Sequence, residues 1–130
     1  MKPKILVVAA NYYKNISFDL SLHTSGVLDK KTKYTFISVP GVFEIPVVIS
    51  KNIKKYDGFI ALGCVIKGET PHFDFISSAT TNAIMKLSIE HKKPIGNGII
   101  TCLNMKQAEV RTKSKGIEAA NAVIEVLDIF

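Results

Sequence analysis

Residues 68–75, with the sequence GETPHFDF, combine residue types that could bind an anion and transfer a proton. The segment follows the apolar run GFIALGCVI and precedes a long stretch with helical spacing. His72 would therefore stand at a helix N-terminus, where the helix dipole favours the neutral imidazole that accepts a proton. Gly68 would allow close backbone approach, and free amides at a helix start attract phosphate. The alternative is a well-capped helix start with a surface histidine.

Other candidate residues also follow predicted strands. Glu44 comes just after a Pro-Gly turn, and Tyr12 and Tyr13 follow the first strand, where they could stack on a planar ring. Arg111 is the one arginine of the chain, and its guanidinium suits bidentate binding of phosphate. Taken singly, each has an ordinary structural explanation: helix-dipole stabilisation for the acid, partial burial for the tyrosines and a surface ion pair for the arginine.

These residues are positioned by alternating strands and helices. Helices are predicted over 16–31, 44–55, from 70 to about 91, 104–111 and 115–127. In the third of these, Thr70 is the predicted N-cap and Pro71 the first helical residue. The predicted strands are KILVVAA, KYTFISV, GFIALGCVI and PIGNGIIT. Strands alternating with helices predict an α/β fold with a parallel sheet, in which ligands bind beyond the carboxyl ends of the strands.

The composition predicts one soluble domain spanning residues 1–130. The hydrophobic content of 47% suits a globular core, and no run is long enough to cross a membrane. The formal charge of +6 comes from lysines scattered along the sequence, which predicts a solvated surface and no nucleic-acid partner. Cys64 and Cys102 fit no metal-ligand spacing, and buried thiols favour a reducing compartment such as the cytoplasm.

Two blocks of the sequence resemble the lumazine synthase (6,7-dimethyl-8-ribityllumazine synthase) family. They are VPGVFEIP, residues 39–46, and ALGCVIKGETPHFDF, residues 61–75. The similarity continues through KPIGNGIITCLNMKQAEVR and SKGIEAANAVIEVL and so covers nearly the whole chain. The resemblance implies a flavodoxin-like, three-layer α/β/α sandwich with a four-stranded parallel sheet.

The resemblance also implies an activity in riboflavin biosynthesis. Enzymes of this family condense 5-amino-6-(D-ribitylamino)uracil with 3,4-dihydroxy-2-butanone 4-phosphate, releasing phosphate and water, without a cofactor or metal. His72 matches the proton-transfer residue, and Asn97 matches a position that contributes to a neighbouring subunit's site. The positions matching the phosphate site are Glu69, Thr70, Arg111 and Lys115. Those matching the site of the ribityl-pyrimidine are Tyr12, Val42, Phe43, Glu44, Cys64, Val65 and Ile66.

The implied partners are the two small-molecule substrates, further copies of the chain in a pentamer or larger assembly, and riboflavin synthase. The chain departs from the family pattern at Asn97, where an aromatic residue is frequent, and at Val110, where an acid is usual. The connection between Arg111 and Lys115 is also shorter than is common. These departures leave open two alternatives, a non-catalytic flavin- or lumazine-binding homologue and a shell-forming homologue.

Overall fold

A computed structural model describes residues 1–68 and 71–130 of the chain. Helices and strands alternate along it, as the sequence predicts. The strands are β1 (Lys4–Ala10), β2 (Lys33–Val39), β3 (Gly58–Ile66) and β4 (Ile95–Cys102). The helices are α1 (Lys14–Leu28), α2 (Ile45–Lys51), α3 (His72–His91) and α4 (Met105–Ile129), with a single 3₁₀ turn at Val42–Glu44 before α2.

The four strands form one parallel sheet in the order β2-β1-β3-β4. Helices α1 and α4 cover one face, and α2 and α3 cover the other, which confirms the predicted three-layer, flavodoxin-like α/β fold. Because the chain moves from β1 outward to β2 and then returns to the other side of β1, the strand order reverses between β1 and β3. Open α/β sheets bind ligands at such a point.

The central strands are buried on both faces because they carry aliphatic residues without alternation. In β1, Ile5 and Val7 pack under α1 and α4, whereas Leu6 and Val8 pack under α2 and α3. All four side chains have no solvent-exposed surface. The sequence prediction of a strand buried on both faces is confirmed, and the sheet provides a rigid base for the loops at its carboxyl edge.

Two glycines allow other elements to approach the sheet closely. A Cβ atom on Gly63 of β3 would lie 2.5 Å from Val42 Cγ1, so the glycine admits the 3₁₀ turn to the sheet surface. A Cβ atom on Gly96 of β4 would lie 2.2 Å from the Ala119 carbonyl oxygen of α4. Gly96, one of the glycines that weaken the prediction of β4 as a strand, is therefore explained by the close packing of α4.

The last helix differs from the prediction. Two helices were expected, over 104–111 and 115–127, but α4 runs without a break over 25 residues. Its start is capped, since the Asn104 side chain accepts a hydrogen bond from the Gln107 amide at 2.9 Å. The short connection between Arg111 and Lys115 contains no proline, and its one following glycine, Gly116, is buried against α1, so nothing in it ends the helix.

The other three helices also differ from the prediction at their ends. α1 spans 14–28 instead of 16–31, and the segment predicted as helix over 44–55 is the 3₁₀ turn followed by the short α2. Pro71 precedes the first residue of α3 instead of occupying its first turn, while the predicted N-cap, Thr70, lies outside the described residues. Helix ends depend on local capping, which makes them the least predictable part of an element.

The lysines that are scattered in the sequence gather at one edge of the folded sheet. Residues 1–4, 29–33, 51–57 and 92–94 lead into the four strands, and they contain ten of the sixteen lysines but only two aspartates. Helices α1, α2 and α3 end at this same amino edge, where their dipoles stabilise cations. Most of the lysines therefore lie at the edge opposite the carboxyl ends of the strands. No helix in the described part of the chain is long and apolar enough to cross a membrane.

Candidate functional site

A cavity of about 620 Å³ opens at the carboxyl edge of the sheet, where β1 and β3 end side by side. Its volume falls in the range of roughly 300–1,000 Å³ that is typical of small-molecule sites. Its walls come from four segments of the chain: the loop after β1, the 3₁₀ turn after β2, the end of β3 and the start of α3. The cavity thus occupies the topological switch point of the fold.

Eight of the site residues predicted from the sequence line this cavity. They are Tyr12, Val42, Phe43, Glu44, Cys64, Val65, Ile66 and His72. Asn97, Arg111 and Lys115 are not among the lining residues. Glu69 and Thr70, predicted at the phosphate end, lie outside the described residues.

The loop after β1 supplies an aromatic wall on a fixed backbone. The Asn11 amide donates to the Val39 carbonyl at 2.8 Å, and the Ser17 amide donates to the Tyr13 carbonyl at 3.0 Å. Between these anchors the Tyr12 side chain is 74% exposed at the cavity. A large exposed ring beside a concave apolar wall is available to stack on a planar ligand.

The 3₁₀ turn after β2 supplies a second wall with three different environments. Val42 is buried against the sheet, Phe43 is 60% exposed, and Glu44 is half-buried. The turn therefore presents an aromatic face and a carboxylate to the cavity from a backbone that Val42 anchors in the core. A carboxylate in this position can accept hydrogen bonds from hydroxyl or amide groups of a ligand.

His72 is the first residue of α3 and lies at the rim of the cavity. Its imidazole is exposed to solvent, and Ile76, one turn further along the same helix, lines the cavity beside it. The start of α3 therefore brings a titratable group and the positive end of a helix dipole to the same opening, which suits an anionic ligand.

The three predicted residues outside the cavity lie on β4 and α4. Arg111 is exposed in α4 and donates from Nη1 to the Thr101 carbonyl of β4 at 3.3 Å. Lys115 follows one turn later on the same helical face. Asn97 is exposed on the edge strand β4, where its Oδ1 accepts a hydrogen bond from the Ile99 amide at 3.0 Å. Asn97 and the backbone partner of Arg111 thus both belong to the edge strand β4, which neighbours β3.

Cys64 is buried at 8% exposure in the cavity wall. Burial raises the pKa of its thiol to about 12, and the neighbouring Cys102 adds to the shift. The folded state therefore keeps a proton that the unfolded chain loses above about pH 9, so this thiol lowers the free energy of unfolding as the pH rises from about 9 to about 12. Both cysteines are free thiols, so the reactivity of Cys64 can be measured by alkylation.

We expect iodoacetamide to alkylate Cys64 at pH 8 at least about 100-fold more slowly in the native protein than in the guanidinium-unfolded chain, because the thiolate is the reactive form. A time course analysed by peptide mass spectrometry measures both rates. Alkylation of the native protein at the rate of the unfolded chain would contradict the raised pKa.

Three residues that line the cavity are absent from the predicted site: Tyr13, Gly41 and Ile76. The sequence indicates Tyr13, together with Tyr12, as a ring that could stack on a planar ligand, but the family resemblance assigns a site position to Tyr12 alone. Ile76 could have been found from helical spacing, since it lies four residues after His72 and so on the same face. Gly41 carries no side chain that would indicate a role.

The family model for 6,7-dimethyl-8-ribityllumazine synthase matches residues 2–130 of the chain. A 6,7-dimethyl-8-ribityllumazine synthase from Bartonella bacilliformis is 41% identical, over 95% of this chain and 88% of the relative. A protein of the same name from Agrobacterium fabrum is 38% identical, over 98% of this chain and 95% of the relative. A third, from Sulfurimonas denitrificans, is 43% identical over 74% of this chain and 66% of its own length.

Proposed function

The chain belongs to the 6,7-dimethyl-8-ribityllumazine synthase family, and we propose that its cavity is the site at which 5-amino-6-(D-ribitylamino)uracil condenses with 3,4-dihydroxy-2-butanone 4-phosphate. The observation that carries the proposal is the meeting of eight predicted site residues, from four separate segments, around a single cavity at the switch point. The product is 6,7-dimethyl-8-ribityllumazine, formed with release of phosphate and water.

The walls of the cavity suit the pyrimidine substrate. Tyr12 and Phe43 are exposed aromatic rings on two different walls and can pack against the planar uracil. Glu44 can accept hydrogen bonds from ribityl hydroxyls, and the apolar side chains of Val65 and Ile66 lie along the ring. Holding two substrates in register in such a cavity can itself supply a large part of the acceleration.

His72 is proposed as the proton-transfer group. The 5-amino group of the uracil attacks the ketone, and loss of water gives an imine. Elimination of phosphate and closure of the second ring then require protons to be removed and returned. One imidazole at the cavity rim can serve these steps in turn as base and as acid. The start of α3, where His72 lies, also favours the phosphate dianion near that rim.

Self-association is proposed to complete the phosphate end of the site. Arg111 and Lys115 carry the charges suited to phosphate, yet they lie on α4 and do not line this chain's own cavity. In a cyclic homo-oligomer the β4 and α4 side of one subunit can face the cavity of the next, because head-to-tail contacts close into rings. We propose a pentamer or larger ring with sites shared between neighbours.

Exposed apolar side chains support this assembly. On α3, Phe75, Met85 and Ile89 are 69%, 58% and 68% exposed, so this helix presents large apolar side chains to solvent. A groove of about 630 Å³ lies between α3, α4 and the start of β4, and its lining is largely apolar. Another subunit covering these surfaces would remove them from water. The two free thiols are consistent with a role in the cytoplasm. Riboflavin synthase stays a prediction as a protein partner.

The activity is tested by mixing the purified protein with the two substrates and following the fluorescence of the lumazine. We expect saturable formation of product well above the uncatalysed background. The kcat should not exceed about 10 s⁻¹, which is the median value for enzymes. Rates equal to the background, with lumazine still bound by the protein, would instead support the non-catalytic binding homologue.

A further inference from the structure

Tyr12 is well placed to stack on a planar substrate, but little in its own surroundings fixes its ring. The side chain is 74% exposed, so burial does not select one rotamer. Within residues 1–68 and 71–130, its one aromatic contact is with Tyr13. The two ring centroids are 4.9 Å apart, with the planes at 84° to each other. This edge-to-face geometry is a favourable one for aromatic pairs.

Tyr13, in contrast, is held firmly. Its side chain is half-buried and packs against the core cluster between the sheet and helices α1 and α4. Its carbonyl oxygen accepts the first hydrogen bond of α1, from the Ser17 amide. Burial raises the pKa of its phenol, with smaller contributions from Cys64, Tyr12 and Cys102, so the ring stays uncharged well above neutral pH. A rigid neutral ring thus stands edge-on beside an exposed one.

We propose that Tyr13 is a positioning residue that braces the Tyr12 ring in the orientation needed to stack on the pyrimidine. This inference rests on the proposed function, since it assigns a role within the same cavity. Without the brace, Tyr12 would have to be ordered at the moment of binding, and the lost side-chain freedom would reduce affinity. Because Tyr13 orients Tyr12 for the binding step and not for the chemical step, it affects binding of the pyrimidine and of the product more than kcat.

The experiment compares Tyr13→Leu with Tyr13→Phe, which keeps the ring and removes only the hydroxyl. We expect Tyr13→Leu to weaken lumazine binding, and to raise the KM for the pyrimidine, by about fivefold, with kcat changed less than about twofold. Tyr13→Phe should stay within about twofold of the wild type in both quantities. Fluorescence titration with lumazine measures binding independently of activity, and thermal unfolding shows that each variant is folded.

A double-mutant cycle with Tyr12→Leu decides whether Tyr13 acts through Tyr12. If it does, adding Tyr13→Leu to Tyr12→Leu weakens lumazine binding no further. Independent, multiplying effects would overturn the bracing role and assign Tyr13 a direct contact with the ligand. A folded Tyr13→Leu variant with wild-type affinity would also overturn it. If the wild-type protein neither binds nor forms lumazine, the proposed function fails instead, which is a separate outcome.

Discussion

Replacing His72 by alanine is expected to lower kcat by about 100-fold, because general acid–base catalysis by one side chain typically contributes a factor of about 10²–10⁴. His72 is exposed at the start of α3, and the two aromatic walls of the cavity come from other segments, the loop after β1 and the 3₁₀ turn. Binding of lumazine should therefore change little. Initial rates from lumazine fluorescence, corrected for the uncatalysed reaction, measure the effect.

His91 provides the matched control, since it is an exposed histidine at the opposite end of the same helix. His91→Ala should keep wild-type turnover. Light scattering should give the same molar mass for both variants and the wild type. A folded His72→Ala protein with undiminished kcat would remove His72 from its proposed role, and a changed molar mass would indicate that the residue acts on assembly.

Arg111→Ala is expected to lower kcat/KM for the butanone phosphate by about 100-fold, because it removes the charge-assisted, bidentate contact to phosphate that is proposed for this arginine. The stronger test mixes this variant with His72→Ala. If each site combines His72 of one subunit with Arg111 of its neighbour, random 1:1 rings regain about a quarter of their sites. Each such site pairs an intact cavity from one variant with an intact arginine from the other.

Co-expression with two different affinity tags, followed by purification on both, yields the mixed rings. Lys113→Ala is the control, because Lys113 is exposed on α4 but stands two residues from Arg111 and so on a different face of the helix. It should retain wild-type activity when assayed alone. Mixed rings no more active than either parent would place His72 and Arg111 in the same subunit's site and contradict the shared-site proposal.

The extent to which the site was predictable depends on how each residue is held. His72 begins α3, and Tyr12 and Glu44 lie in the short connections that follow β1 and β2, so chain order alone places them at the carboxyl edge. Arg111 was expected near the phosphate, but its position relative to the cavity depends on the path of α4, which the sequence divided wrongly into two helices. The role of Tyr13 depends on the angle between two rings, which no sequence pattern encodes.

The sequence predicts the α/β class, the edge of the sheet that carries polar chemistry and the bounds of β1, β2 and β3, whereas the predicted fourth strand begins and ends one residue before β4. It could do so because buried parallel strands leave continuous aliphatic runs, and the carboxyl ends of parallel strands share one edge. Three other features become visible only in the folded chain: β1 and β3 end side by side, Val42 reaches the sheet over Gly63, and ten lysines gather at the opposite edge. These features arise from contacts between distant segments, whose geometry is set by the packing of the whole sheet and its helices.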